Sequence, residues 1–452
     1  MQRLSREALT RGRRWLVPAA VALVVVGAAA LAVGLEGSSS ETAAPAAAVT
    51  DGRDLRERPS LRPTIEAAFA AESYRRGTTA DLIVLDRATA VQLRLYRVGD
   101  SVGTAGARDE MRGTPVGGTR SFARVRKGQI VRLRLDARWP SGLYYAELRA
   151  PGGRVGYAPF VLAPQKLGGN RIAVVLPTQT WQAYNFSDDD GDGKADTWYA
   201  SPEQSEARLI RPFENRGIPP HYHAYDEPFL RWLAHREYAV DFLSDAELRR
   251  AEGSTLARAY KLLIFEGHHE YVTEREVDAV TGFRDRGGNL MFLSANNFFR
   301  KITIADGVMT IVGQWRKLGR PEATLVGARY FSSHSEGRSS APWVVRNSAA
   351  GEWIFRDTGL EPGSLFASGG IEADSTSRAS PRGIQVVAEI PDVFGDGRNA
   401  QMTYYEAPAG ARVFAAGAFT LAGSVWQPPV QQLMTNLIAE LSVPAGEAPA
   451  SG

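Results

Sequence analysis

The sequence predicts an α/β protein whose main domain is a doubly wound, mainly parallel sheet, preceded by a small all-β domain and an N-terminal apolar segment. From residue 166 onward, short apolar runs alternate with helical segments, which is typical of parallel strands covered by helices. Before that point, short runs of alternating apolar and polar residues are separated by turns containing Gly and Pro. One uncharged stretch near the N-terminus precedes both regions.

The N-terminal region predicts export. Residues 1–14 form a basic arm with five Arg and one Glu, so its charge exceeds the +3 of the whole chain and the remainder is close to neutral. This distribution gives no reason to expect nucleic-acid binding. Residues 15–35 carry no charge and are long enough to span a hydrocarbon core of roughly 30 Å. We expect a single-pass cell-membrane protein with its body outside the cytoplasm; secretion after cleavage of a signal segment is the alternative.

The rest of the chain divides by pattern. Residues 36–60 are rich in Ser, Ala, Thr and Pro and predict a flexible linker. Residues 61–165 predict a small immunoglobulin-like β-sandwich. Residues 166–443 predict the α/β domain, with strands at 171–177, 239–243, 261–265 and 289–293 and a return to β character after residue 320. Residues 444–452 predict a disordered tail.

Polar side chains follow several predicted strands at the point where each strand ends. His268, His269 and Glu270 come directly after the strand at 261–265, while Tyr184 and Asn296 lie in loops that follow two other strands. Because the carboxyl ends of parallel strands share one edge of a sheet, these loops should line one crevice. The chain has no cysteine, so thiolate metal sites and a cysteine nucleophile are excluded.

Two further motifs suggest metals. His221 and His223 would point to one face of an extended segment and could bind zinc together with His268. The loop after Tyr184 has acidic residues at positions 1, 3, 5 and 9 and Gly at position 6, the spacing of a calcium-binding loop, although position 12 is not Glu. The candidate calcium ligands are Asp188, Asp190, Asp192 and Asp196.

Several segments together resemble the C-terminal region of the N,N-dimethylformamidase large (beta) subunit. They are Trp139-Pro-Ser-Gly-Leu-Tyr144, Thr180-Trp-Gln-Ala-Tyr-Asn185, Tyr238-Ala-Val-Asp-Phe-Leu243, Gly267-His-His-Glu-Tyr271 and Leu293-Ser-Ala-Asn-Asn-Phe298. The resemblance covers roughly residues 64–440 and rests on the order and spacing of these motifs. It implies a glutamine-amidotransferase-like α/β core that holds one ferric ion.

The resemblance also implies the site residues. By matching motif positions, the iron ligands would be Tyr184, Tyr225 and Glu270, with His268, Asn296 and Glu406 as catalytic groups around the metal. Ferric iron is a hard cation, which fits phenolate and carboxylate ligands. Such an ion would act as a Lewis acid on an amide carbonyl, while His268 or Glu406 moves a proton and Asn296 holds the oxyanion.

The leading hypothesis is therefore an exported, membrane-anchored, metal-dependent hydrolase of a C–N amide bond, acting on a small-molecule amide. Two alternatives stay open: a non-catalytic cell-surface binding protein with a calcium-stabilised α/β domain, and a zinc hydrolase using His221, His223 and His268. A homo-oligomer is compatible with the sequence, and no segment indicates a small partner subunit.

Overall fold

A computed structural model describes residues 59–99, 107–200, 204–333 and 340–443. All of them belong to one compact unit, Val49–Gly452. The predicted basic arm, the apolar segment at 15–35, nearly all of the linker and the tail lie outside the described residues. Among the described residues, no helix is both long and apolar enough to cross a membrane. The described residues thus supply no helix for the predicted single-pass anchor, and the segment at 15–35 that was expected to form it is not among them.

The first eight strands form two sheets that share one core. A three-stranded sheet has the order β1-β3-β6 and a five-stranded sheet the order β2-β8-β7-β4-β5. Strand β6 illustrates why they form, because Val131 and Leu133 are buried while the residues between and after them are exposed. The strands are β1 Ala67–Phe69, β2 Ser73–Arg75, β3 Thr79–Val84, β4 Ala88–Arg97, β5 Thr114–Val125, β6 Gln129–Arg134, β7 Gly142–Ala150 and β8 Arg154–Ala163.

The centre of the molecule is an eleven-stranded mixed sheet. Five neighbouring strands are parallel, in the order β11-β9-β12-β14-β22. Their nearly continuous apolar runs are buried on both faces. The parallel strands are β9 Ile172–Leu176, β11 Val240–Ser244, β12 Leu262–Phe265, β14 Asn289–Phe292 and β22 Arg412–Ala415.

Beyond β22 the same sheet continues with antiparallel strands, and a fourth sheet lies beside the carboxyl edge of the parallel set. The antiparallel strands are β17 Arg329–Ser333, β18 Ser340–Val345, β19 Leu365–Ser375, β20 Gln385–Ile390, β21 Ala400–Glu406 and β23 Ala418–Phe419. The fourth sheet, in the order β10-β16-β15-β13, contains β10 Glu206–Arg208, β13 Tyr271–Val272, β15 Arg300–Ala305 and β16 Val308–Gln314.

The helices are mostly short, and several begin with sequence-encoded caps. Thr273 and Glu276 form a capping box at the start of α6, and Ser244 and Glu247 form one at the start of α4. The helices are α1 Thr178–Ala183, α2 Tyr222–Tyr225, α3 Glu227–His235, α4 Asp245–Arg250, α5 Gly253–Ala259, α6 Glu274–Arg284, α7 Ala323–Val326, α8 Ala349–Ile354 and α9 Pro428–Leu441, with 3-10 turns at Trp315–Leu318 and Ala422–Ser424.

The predicted fold class is wrong. Strands make up 37% of the described residues and helices 20%, so this is not a helix-rich, doubly wound, glutamine-amidotransferase-like α/β fold. The physical reason lies after β14, where the chain stops making strand–helix–strand crossovers. It forms antiparallel ladders instead, and these extend the central sheet by six strands.

Candidate metal centre

Glu270 is the centre of a buried cluster of phenols at the carboxyl edge of the parallel strands. The hydroxyl of Tyr184 donates a hydrogen bond of 2.8 Å to Glu270 Oε2, and the hydroxyl of Tyr199 lies 3.3 Å from the same oxygen. The hydroxyls of Tyr199 and Tyr271 are 2.5 Å apart, and Trp198 Nε1 donates to the latter at 3.0 Å. Three tyrosine hydroxyls therefore gather around a single carboxylate.

His268 and Glu372 complete the cluster. His268 Nε2 lies 3.6 Å from Glu270 Oε2 and 3.3 Å from Glu372 Oε2. Within the described part of the chain, neither His268 Nε2 nor Glu372 Oε2 makes a hydrogen bond, although both atoms are buried. One donor atom from each of His268, Glu270 and Glu372 falls within a group whose members are all within 4.8 Å of one another. These orphaned, converging atoms are the arrangement that a cation would satisfy.

Burial and charge shift the protonation of these groups. Burial raises the pKa of Glu270, and it raises the pKa of the Tyr184 hydroxyl well above its ordinary value, with the Glu270 carboxylate adding to the effect. Burial lowers the pKa of His268, but the neighbouring carboxylates of Glu372 and Glu270 outweigh it, so the pKa is raised overall. A cation at this position would oppose the first two shifts, because it stabilises phenolate and carboxylate.

Backbone contacts fix the turn that carries His268 and Glu270. Gly267, directly before them, has φ +67°, and a Cβ there would overlap Asp226 Oδ1, so the turn needs glycine. The carbonyl of Glu270 accepts a hydrogen bond of 2.9 Å from the Arg300 N–H. The Thr180 hydroxyl accepts one of 3.3 Å from the Tyr271 N–H. The chain on each side of Glu270 is thereby tied to other elements.

A buried arginine holds the end of α1, where Tyr184 lies. The Arg211 guanidinium donates to the carbonyls of Gln182 (2.8 Å), Asn185 (2.9 Å) and Ser187 (3.0 Å). Its side chain is only 1% exposed. Burial lowers the pKa of Arg211 to about 10, so it keeps its charge at neutral pH. This clamp fixes the backbone on both sides of the tyrosine.

The structure brings Tyr225 and Asn296 to the surroundings of the cluster. The Tyr225 ring stacks on His221 with centroids 5.1 Å apart and lies 4.7 Å from Phe419, whose ring is also 4.7 Å from His268. Asn296 follows β14 with φ +55°, and its N–H donates to Asp374 Oδ1 at 2.8 Å. Its buried Oδ1 makes no hydrogen bond with any residue that the structure describes.

Glu406 does not lie in the cluster, and this corrects the prediction that it is a catalytic group beside the metal. It ends β21, where it pairs with Arg412 at the start of β22. Because β21 runs antiparallel to the parallel set, its end lies at the amino edge, opposite the edge that carries Glu270. Glu406 is exposed and accepts a hydrogen bond of 2.8 Å from the Tyr404 hydroxyl.

The histidine motif is also arranged differently from the prediction. Tyr222–Tyr225 is a short helix, and His221 before it has φ +58°, so His221 and His223 do not share the face of an extended strand. His223 Nδ1 lies 2.6 Å from Glu227 Oε2. Among the described residues, neither histidine joins His268 in a group of converging metal-binding atoms. The zinc alternative therefore has no assembled ligand set here.

The acidic loop assembles in part. Oxygens of Asp188, Asp190 and Asp196 lie within 4.8 Å of one another, while Asp192 is not in that group. The two oxygens of Asp188 accept hydrogen bonds from the N–H groups of Gly191 (2.6 Å) and Gly193 (2.8 Å). The loop's own amides thus already bind some of these oxygens, and calcium binding stays a prediction.

The sequence analysis did not identify Glu372 and Tyr199. Glu372 lies on β19 together with Asp374, two residues further on, and both are buried in an otherwise mainly apolar or small-residue strand. Burial raises the pKa of Asp374 to about 8. Two acidic residues at a spacing of two on one face of a strand are a signal that sequence inspection could have used. No comparable signal marks Tyr199, which follows the acidic loop.

Comparison with known proteins supports the resemblance seen in the sequence. Residues 129–429 match the model of the family described as N,N-dimethylformamidase beta subunit-like, C-terminal. A search of curated proteins gave no match.

Solved structures give only local likenesses. A cycloisomaltooligosaccharide glucanotransferase from Paenibacillus sp. is 14% identical over 25% of this chain and 16% of its own, with a TM-score of 0.17. A superoxide reductase (neelaredoxin) from Ignicoccus hospitalis is 17% identical over 23% of this chain and 80% of its own, with a TM-score of 0.15. An uncharacterized protein from Bacillus anthracis is 15% identical over 21% and 78%, with a TM-score of 0.16. TM-scores this low do not establish a shared fold.

Proposed function

The chain belongs to the N,N-dimethylformamidase beta subunit-like family, and from this premise we propose that it is a metal-dependent hydrolase of a C–N amide bond with one ferric ion. The observation that supports this most is the buried Glu270 carboxylate, which accepts a hydrogen bond of 2.8 Å from the Tyr184 hydroxyl and lies in one group with polar atoms of His268 and Glu372. Membership of the family supports the coarser statement that the protein is dimethylformamidase-like. The metal and the reaction are the proposal.

The donor set suits a hard trivalent cation. Tyr184 and Glu270 supply a phenol and a carboxylate already joined by a hydrogen bond of 2.8 Å. The Tyr225 ring packs against Phe419, which also packs against His268. Phenolate and carboxylate oxygens are the ligands that hard cations prefer over imidazole. When bound, a ferric ion would supply Lewis acidity to an amide carbonyl and lower the pKa of water.

The protein's own residues would manage the protons. His268 lies between Glu270 and Glu372, and this pair of carboxylates favours its protonated form. A protonated His268 can deliver its proton to the nitrogen of the departing amine. Glu372, 3.3 Å from His268 Nε2, holds the imidazole in place and balances its charge.

Asn296 would stabilise the developing oxyanion. Its backbone N–H is held by Asp374, and its buried Oδ1 has no hydrogen-bond partner in the described ranges of the chain, so neither contact occupies the side-chain N–H group. That N–H group is the donor that would meet the developing charge. The Phe419 and Tyr225 rings, which pack near His268, would help to exclude water.

Metal analysis of matched variants tests the ligand assignment. We expect stoichiometric iron and a visible tyrosinate-to-iron absorption band in the purified protein and in Glu406→Gln. We expect Glu270→Gln to lose the iron, because it loses the central anionic ligand, and Tyr184→Phe to lose or shift the band. Unchanged iron and an unchanged band in both ligand variants would refute the assignment. Zinc in place of iron would refute the choice of metal.

Activity measurements test the reaction. With dimethylformamide and other small linear amides as substrates, Glu372→Gln should lower kcat by about 100-fold, the lower range for loss of acid–base function. Glu406→Gln, at the opposite edge of the sheet, should leave kcat unchanged. Equal effects of the two substitutions would refute the role of Glu372. Iron-loaded protein that hydrolyses no amide would favour the non-catalytic binding protein instead.

A further inference from the structure

A polar cavity lies on the opposite side of the parallel strands from the metal centre. It has a volume of about 320 Å³ and is lined by residues in or next to strands of the five-stranded sheet, by α3 and by the start of β11. Asn170, before β9, and Val240, the first residue of β11, both line it. The cavity therefore lies at the amino edge of the parallel strands, whereas Glu270 follows the carboxyl end of β12.

Two arginines in this cavity form no ion pair with any residue that the structure describes. Arg76 and Arg97 both line it, each is half-buried, and the Nε atom of each is buried without a hydrogen-bond partner among the described residues. Asp241 is the only carboxylate in the lining, and it accepts hydrogen bonds from Asn170 (2.9 Å) and Tyr260 (3.1 Å). Within the described part of the chain it forms no ion pair with either arginine.

The two positive charges act on the same buried ring. Burial raises the pKa of the Tyr144 hydroxyl to about 12, and the nearby Arg97 and Arg76 oppose that rise. Two guanidinium groups that are close to one phenol and unpaired repel each other and leave donors unsatisfied. An anion between them would remove both costs, and guanidinium groups bind carboxylate and phosphate particularly well.

The apolar residues in the lining indicate that the anion has an apolar part. Leu143, Leu230, Leu233 and Phe242 are buried apolar residues that line the same cavity. Its volume lies at the lower end of the range for small-molecule sites, roughly 300–1,000 Å³. We propose that this cavity binds a small organic anion with a carboxylate or phosphate group on Arg76 and Arg97 and an apolar body against α3.

Calorimetric titration at constant ionic strength tests the proposal. The probes are benzoate, phenyl phosphate and inorganic phosphate, added to wild type and to Arg76→Gln, Arg97→Gln and Arg134→Gln. Arg134 is exposed on β6 and outside the cavity lining, so its substitution removes the same charge without touching the site. Glu270→Gln is included because it disables the proposed metal centre, where an anion could also bind.

We expect saturable binding of benzoate or phenyl phosphate to wild type, Arg134→Gln and Glu270→Gln, tighter than that of inorganic phosphate. Each cavity substitution should weaken it about tenfold, the effect of losing one charge-assisted hydrogen bond. A preference for benzoate or for phenyl phosphate identifies the headgroup, and either supports the site. Absence of saturable binding to wild type, or equal affinity in all variants, overturns it. So does loss of binding only in Glu270→Gln.

Discussion

Replacing Arg211 with Met should destabilise the protein and loosen the end of α1. The substitution removes three hydrogen bonds, of 2.8, 2.9 and 3.0 Å, to the carbonyls of Gln182, Asn185 and Ser187. It also removes a fourth, of 3.2 Å, to Gln182 Oε1, which keeps the Asn185 Nδ2 as a donor. The carbonyl of Gln182 keeps a second donor in the Asn185 N–H, and that of Ser187 keeps the Asp196 N–H. The Asn185 carbonyl has no other donor among the described residues, so it alone would be left wholly unsatisfied.

The expected cost follows from this inventory. One buried carbonyl without a partner costs about 2 kcal/mol, and each of the three partly satisfied oxygens adds about 0.5 kcal/mol, for a total of about 3.5 kcal/mol. Arg208→Met is the matched control. Arg208 also approaches Asp189, at 3.5 Å, but its side chain is 67% exposed. Its loss should change the free energy of unfolding by less than about 1 kcal/mol.

Urea unfolding of the two variants and wild type, followed by tryptophan fluorescence, measures the difference. The Arg211 variant should also show a weaker tyrosinate-to-iron band, because the clamp holds the backbone on both sides of Tyr184. Equal unfolding free energies for the two methionine variants would refute the reasoning, since both lose one cation beside Asp189 and only one loses the buried carbonyl contacts.

Two further predictions concern the turn before Glu270 and the buried acids behind it. Gly267→Ala places a Cβ onto Asp226 Oδ1 at φ +67°, so it should cost at least 2 kcal/mol, whereas Gly128→Ala, at φ +79° in open space, should cost about 1 kcal/mol; equal melting temperatures would contradict this. Burial raises the pKa of Asp245 to about 7 and that of Glu276 to about 8. The folded state therefore binds more protons than the unfolded state, and stability declines as pH rises from about 4.5 to about 8. Asp245→Asn should flatten that decline, which urea unfolding at pH 5 and pH 8 can measure; an unchanged slope would contradict it.

Individual strands and helices could be predicted from the sequence where interactions between residues close in the chain determine them. Strands predicted at 261–265 and 289–293 form at Leu262–Phe265 and Asn289–Phe292, because continuous apolar runs ended by Gly or polar residues leave little choice. The helix that follows the predicted strand at 261–265 forms at Glu274–Arg284, since Thr273 and Glu276 cap it. In these cases the deciding contacts lie within a few residues of each other.

Pairing between distant strands could not be read in the same way. A strand's apolar pattern shows that it is buried, but it does not show whether its neighbour runs parallel or antiparallel. Because β21 runs antiparallel to β22, Glu406 lies at the amino edge of the parallel strands, opposite the site. The prediction of an extended segment at His221–Tyr225 was wrong for a different reason. His221 has φ +58°, and the chain continues after it as a short helix.

The placement of Glu372 on β19 has a consequence for how the protein matures. The Tyr184–Glu270 pair is separated by 86 residues, and Glu372 lies a further 102 residues along the chain, the difference between positions 372 and 270. A newly made chain has the first two groups long before it has the third. Contacts of such high sequence separation close late, after loop entropy has been overcome. The cluster of His268, Glu270 and Glu372 is therefore absent from every intermediate that lacks β19, and the proposed iron ligands Tyr184 and Glu270 can meet before the residue that positions His268 is in place.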